Sequence, residues 1–297
     1  MRPFTGSITA IVTPMRNGAV DEKAFEKLVD WQIREGTSGI VVCGTTGESP
    51  TLTYEEEDKL FSLAIKVSNR RVPIIAGTGS NDTLTAVERS KTAEKLGADA
   101  LLQVSPYYNK PTQEGLYQHF KAVHDATNVP IILYNIPGRC IVDIQPPLMQ
   151  RLAQLPRIIG VKDATGDITR PPRTLADCGR DFIQLSGNDD TAGAFNAAGG
   201  VGCISVASNV APALCAQFQK AWAEGNVKEF ERLRDVLDPL ARVLFIESNP
   251  SPVKYALSLL GLCTDEVRLP MVTCTPETKK QVAAVIEKLG LLQKKAA

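Results

Sequence analysis

Lys162 closes an apolar run in the stretch RIIGVKDATGD, residues 157–167. Ile158, Ile159 and Val161 read as a strand covered on both faces, so a cation at its end needs a reason. Withdrawing an ammonium group from water is costly enough that a lysine so placed usually gives up its proton. The neutral amine that results is a nucleophile and forms a Schiff base with a ketone or aldehyde. The plainer alternative is a lysine that snorkels to solvent or pairs with Asp163.

Other residues able to do chemistry also follow apolar runs. GTTGES, residues 44–49, reads as a turn whose backbone amides and hydroxyls hold an anion, or simply as a tight connection. SPYYNKP brings Tyr107 and Tyr108, and YNIPGR brings Tyr134 and Arg139. Tyrosine and threonine hydroxyls both donate and accept, so together they can pass protons. Taken singly, Tyr108 and Tyr134 read more often as packing residues whose hydroxyl finds a partner. Arg139 is suited to clamping a carboxylate with two parallel hydrogen bonds, or is a solvated loop cation. Combined, these groups describe a pocket for an anionic keto acid with an amine at its floor.

Metal and nucleotide chemistry lack their signatures. His119 and His124 stand five apart on an expected helix and so face different ways, and no zinc-ligand cluster is present. GTGSND lacks the third glycine of a dinucleotide fingerprint, and no phosphate-binding Gly-Lys-Ser/Thr loop occurs. The expected chemistry uses no metal and no cofactor.

Positioning these residues requires many strands. Apolar runs begin near Ile8, Gly39, Pro73, Ala100, Pro130, Arg157, Phe182 and Gly202, between 20 and 34 residues apart, with helix-like stretches between them. Continuous rather than alternating runs suit parallel strands, and eight strand–helix units predict a closed (β/α)8 TIM barrel over a doubly wound open sheet. Barrel chemistry sits at the C-terminal strand ends, where the residues above fall. Beyond about Ala223 the period is helical without strands. The expected division is a catalytic barrel over residues 1–224 and a helical region over residues 225–297, packed on it.

Composition excludes several classes. Lys and Arg number 33 against 33 Asp and Glu, which provides no electrostatic case for nucleic acid or an anionic membrane surface. No apolar run reaches the roughly 18 residues of a membrane span. MRPFTGSITAIVTPM does not read as a signal peptide. Seven scattered cysteines, an odd number without a C-x-x-C pair, predict free thiols in a reducing, cytoplasmic compartment.

GTTGES, SPYYNKPTQEGLYQHF, YNIPGR, GVKDATGD and IESNPSPVKYAL together resemble the dihydrodipicolinate synthase family, a branch of the Schiff-base aldolases that includes N-acetylneuraminate lyase. The resemblance runs over nearly the whole chain. It implies that Lys162 forms an imine with pyruvate, with Tyr134 as the proton donor and acceptor beside it. It implies that Thr45 links Tyr134 to Tyr108, the latter reaching in from a neighbouring subunit of a tetramer built from two tight dimers. Thr46, Gly187 and the backbone at Ile204 would hold substrate, and Arg139 the carboxylate of aspartate semialdehyde. Many relatives have Glu at 163 and Asp at 188, where this chain has Asp163 and Asn188. Of the lysine-binding positions in feedback-inhibited members, Ser49, Asn81 and Tyr107 match. Tyr54, Glu57 and Thr85 replace His, His and Glu, which predicts weak or absent inhibition. The alternatives are an aldolase for a sugar-derived keto acid, against which Arg139 speaks, and a catalytically silent barrel, which has no need of Lys162, Tyr134, Tyr108 and Thr45 together.

Overall fold

The computed structural model describes residues 4–292; the ends of the expected boundaries, 1–3 and 293–297, lie outside the described residues. Eight parallel strands close into a barrel: β1 Gly6–Ala10, β2 Gly39–Val42, β3 Ile74–Gly77, β4 Ala100–Val104, β5 Ile131–Asn135, β6 Ile158–Asp163, β7 Ile183–Ser186 and β8 Gly202–Ser205. β1 pairs with both β2 and β8, so no edge is left. Each expected strand is present.

Helices cover the outside: α1 Glu22–Arg34, α2 Tyr54–Ser68, α3 Thr83–Leu96, α4 Gln113–Ala126, α5 Pro146–Leu152, α6 Arg170–Cys178, α7 Ala192–Ala197 and α8 Pro212–Ala223. Side-chain N-caps start four of them, from Asp21, Thr53, Asp82 and Thr112. Two apolar clusters explain why the strand runs are continuous. Ile8, Val41, Ile75, Leu102, Ile132 and Ile204 meet inside the barrel, whereas the alternate residues Ile40, Ile74, Leu101, Leu133 and Val161 pack against the helices. Tyr134 and Lys162 share the inward parity and sit side by side in register across β5 and β6. Gly160, one inward position below Lys162, is where a Cβ would strike the Ile183 carbonyl of the next strand. Glycine therefore lets β6 and β7 close beneath the lysine.

Three further helices follow, α9 Val227–Val243, α10 Ser251–Leu259 and α11 Pro276–Lys288. Leu233, Leu240, Val253, Leu257, Val282 and Ile286 join the same cluster as Phe25 and Phe61 of the barrel helices. Sequence reading passed over a small hairpin, Met15–Arg16 with Ala19–Val20, turned by Asn17 and Gly18 at positive φ of 54° and 80°. Glu266 accepts from both turn amides, at 2.8 and 2.5 Å, and so fastens the hairpin to the chain beyond α10.

Candidate active site

Lys162 is only 6% exposed at the end of β6. Its Nζ lies 4.1 Å from the centroid of the Tyr134 ring, and among the described residues it makes no ion pair. Asp163 is not its partner. Strand alternation turns Asp163 outward, where its carboxylate accepts from the Thr165 amide at 2.8 Å and hydroxyl at 2.6 Å, with Arg170 Nε at 3.5 Å. Burial pushes the Asp163 carboxyl up despite those donors. Arg170 also grips Asp143, and Asn135 bridges the same node by donating to Asp143 and accepting the Ile144 amide. The loop after β5 is thereby pinned at both ends. Between the pins, the helical turn Pro137–Cys140 carries Arg139, whose side chain is exposed.

The wall opposite comes from β7 and β8. Ile204 is fully buried inside the barrel. Asp189, after β7, accepts from the Ser205 hydroxyl at 2.5 Å and from the amides of Val206 and Ala207 at 2.8 and 3.0 Å. It thus fixes the chain immediately beyond Ile204. Withdrawal from water raises the Asp189 carboxyl above the ordinary range. Gly187 donates its amide to the Asp163 carbonyl at 2.6 Å, so that N–H is spent within the frame.

GTTGES forms a compact turn after β2. Gly47 donates to the Gly44 carbonyl and Glu48 to that of Thr45. The amides of Thr45 and Thr46 make no hydrogen bond among the described residues, leaving two donors at the strand end for an anion. Sequence reading missed what holds this turn. Glu48 sits at φ 59° and pairs with Lys254 of α10 at 2.6 Å, with side chains 2% and 0% exposed. Lys254 also donates to the Thr13 carbonyl at 2.9 Å, and the Arg268 amide donates to the other Glu48 oxygen at 3.0 Å. Asn249 donates to the Thr46 hydroxyl at 3.0 Å. The readable signal was the charged residue inside SPVKYALSLL, the same kind of signal that marks Lys162.

Thr45, Ser49 and Arg139 line one crevice of about 700 Å³, with Tyr107 on its wall. Tyr108 does not reach the barrel interior of its own chain: it is 88% exposed, at a φ of 71°. Of the positions that the resemblance would assign to lysine binding, Ser49, Tyr54, Glu57, Thr85 and Tyr107 meet on the same crevice. Asn81 is tied to the segment after Tyr108 through Asn109, which donates to its carbonyl at 2.8 Å. Arg89 fills the centre of this group, paired with Glu57 at 3.0 Å and Asp58 at 2.6 Å and stacked over Tyr54. Burial pushes Glu57 up to about 7 even with Arg89 beside it. His119, pushed down to about 4 by burial, packs against Phe120 and Thr83 and has no place in the site.

All seven cysteines are free. Among the described residues no group of three His, Cys, Asp or Glu is placed to hold a metal ion, and no helix is long and apolar enough to cross a membrane.

The arrangement has known counterparts. A 4-hydroxy-tetrahydrodipicolinate synthase of Rhodospirillum centenum is 58% identical over 289 residues, covering 97% of this chain and 99% of its own. One from Parvibaculum lavamentivorans is 54% identical over the same span. Among solved structures, dihydrodipicolinate synthase from Aquifex aeolicus superposes with a TM-score of 0.96 at 43% identity, over 98% of this chain and 100% of that one. A chloride-inhibited enzyme from Acinetobacter baumannii, in complex with pyruvate, gives 0.94 at 44% identity, over 97% and 99%. The family model described as the Dihydrodipicolinate synthetase family matches residues 3–289, and with the Lys162–Tyr134 pair on a closed barrel the chain belongs to that family.

Proposed function

We propose that this chain condenses pyruvate with L-aspartate 4-semialdehyde through an imine on Lys162, as 4-hydroxy-tetrahydrodipicolinate synthases do, at the first committed step of lysine and diaminopimelate formation. The observation that carries the mechanism is the buried amine of Lys162 over the Tyr134 ring, without a counter-ion at hydrogen-bonding distance. The amine adds to the pyruvate carbonyl and water leaves, giving a cationic imine. That cation acidifies the methyl group, and loss of a methyl proton yields an enamine. The enamine carbon attacks the aldehyde of the second substrate, whose oxygen takes up a proton. The substrate's own amine then displaces Lys162, closing the ring and returning the free lysine.

Tyr134 is the proton donor and acceptor, with Thr45 connecting it to a tyrosine hydroxyl. The exposure of Tyr108 supports its service to a neighbouring subunit's site, in a homotetramer made of two tight dimers. The unpaired amides at Thr45 and Thr46 suit the pyruvate carboxylate. Arg139, on its pinned turn, suits the carboxylate of the semialdehyde, with the Gly187 carbonyl and the backbone at Ile204 completing the walls. The reaction proceeds in the cytoplasm, without metal or cofactor, on a barrel unit of residues 1–224 braced by a helical unit of residues 225–297.

Tyr134→Phe tests the relay. Turnover is expected to fall at least about tenfold, the lower part of what a positioned acid–base group contributes. Borohydride still fixes pyruvate to Lys162 in that variant, because the nucleophile is intact. Unchanged turnover would remove Tyr134 from the mechanism.

L-Lysine is a second test. Arg89 already pairs with Glu57 and Asp58, so neither of those two carboxylates is free to receive an external ammonium group. Millimolar lysine is expected to leave the initial rate essentially unaltered, and strong slowing would contradict this reading of the crevice.

A further inference from the structure

Asn249 lies between α9 and α10, some 200 residues along the chain from the turn it touches, and is 5% exposed. Its Nδ2 donates to Thr46 Oγ1 at 3.0 Å, while its Oδ1 has no partner among the described residues. A threonine hydroxyl has one proton and two lone pairs. When its oxygen accepts from Asn249, its own proton is directed elsewhere. Thr46 is 2% exposed and makes no other side-chain hydrogen bond, so that proton has no acceptor among the described residues. The adjoining amides of Thr45 and Thr46 are unpaired as well. Three donors at one strand end therefore await the same acceptor.

We propose that Asn249 is a positioning residue for imine formation: by donating to Thr46 it fixes that hydroxyl as a hydrogen-bond donor to the keto-acid carboxylate. Asn249 does not drift into this position. Ser251 donates to the Val272 carbonyl at 2.7 Å, Lys254 grips Glu48, and the Arg268 side chain donates to the Thr51 carbonyl at 2.8 Å. The helical region thus sets the polarity of a hydroxyl in the barrel as well as covering its helices. The inference rests on the reading that Thr46 holds the keto acid, and its test separates the two.

The measurement is the pyruvate concentration giving half-maximal borohydride-fixed adduct, with kcat and melting temperature alongside. Asn249→Ala is expected to raise that concentration about tenfold, the equivalent of one hydrogen bond, with kcat at saturating pyruvate changed less than about threefold. Asn249→Asp keeps the shape but can only accept, so Thr46 must turn its proton toward it; the increase is expected to exceed that of the alanine variant. Thr46→Val is expected to raise half-saturation similarly, and adding Asn249→Ala to it should shift the value by less than about twofold. If the two single effects multiply instead, Asn249 acts independently of the Thr46 hydroxyl and the proposal fails. If Thr46→Val leaves half-saturation unchanged, the assignment of Thr46 to the keto acid fails first. Should Asn249→Ala fold poorly, Asn249→Asp in the two Thr46 backgrounds decides the same question, since a proton-turning effect requires the hydroxyl.

Discussion

Lys162→Ala is expected to lower turnover by at least about a thousandfold and to leave no pyruvate fixed by borohydride, because no other group can form the covalent intermediate. The geometry leaves no substitute. Among the described residues the other lysine withdrawn from water, Lys254, is saturated by Glu48 and the Thr13 carbonyl and cannot turn toward a substrate. In the unaltered chain, peptide mapping after reduction is expected to place the adduct on the peptide that carries Lys162, only when pyruvate is present. Alanine removes the amine but keeps the helix-covered strand, whose stability comes from Ile158, Val161 and their neighbours. The melting temperature should therefore move far less than the activity. Lys162→Arg keeps a cation yet cannot supply a neutral amine, so it should be as inactive as alanine. Residual pyruvate fixation in either variant would place the nucleophile elsewhere and end the proposed mechanism.

The barrel was legible because its signal is local. A parallel strand covered on both faces must be apolar at every position, and Gly or Pro marks most of the breaks. Lys162 was legible for the same reason, as one charge in such a run. The hairpin was readable too, from Asn17-Gly18, but two-residue strands are too short to show a period. Contacts that join distant parts of the chain were not legible. Asn249 meets Thr46 across 203 positions, and Lys254 meets Glu48 across 206. Lys254 is the instructive case, since SPVKYALSLL shows one lysine among apolar residues just as RIIGVKDATGD does. Pattern alone treats the two alike. What separates them is the neighbour in space: a carboxylate at 2.6 Å beside Lys254, the face of a tyrosine ring beside Lys162. A lone cation in an apolar run therefore announces that something unusual meets it, and only the fold says whether that is a counter-ion or a substrate.

That contrast leads to the largest expected effect on stability. Lys254→Met deletes the cation but retains the apolar stem, leaving the Glu48 carboxylate 2% exposed, with the Arg268 amide as its one remaining donor among the described residues. Removing one partner of a buried pair typically costs about 3–5 kcal/mol, because the other charge stays out of water unpaired. At about 2–4 °C per kcal/mol for a chain somewhat shorter than this one, the melting temperature should drop by roughly 6–20 °C. Glu48→Gln should cost less, since an amide oxygen can still accept from Lys254 while the ammonium loses its counter-charge. Replacing both, Glu48→Gln with Lys254→Met, removes both charges, and the pair is expected to be more stable than Lys254→Met alone. The single variants also bear on catalysis, because Glu48 follows Thr45 and Thr46 by three and two positions and shapes their turn. Loss of the clamp should therefore raise half-saturation for pyruvate below the melting transition, an effect that a defect confined to α10 would not produce. Calorimetric scans with imine-trapping curves on the three variants measure both consequences. If Lys254→Met melts within about 2 °C of the unaltered chain, less than 1 kcal/mol is at stake and the clamp does not hold the turn.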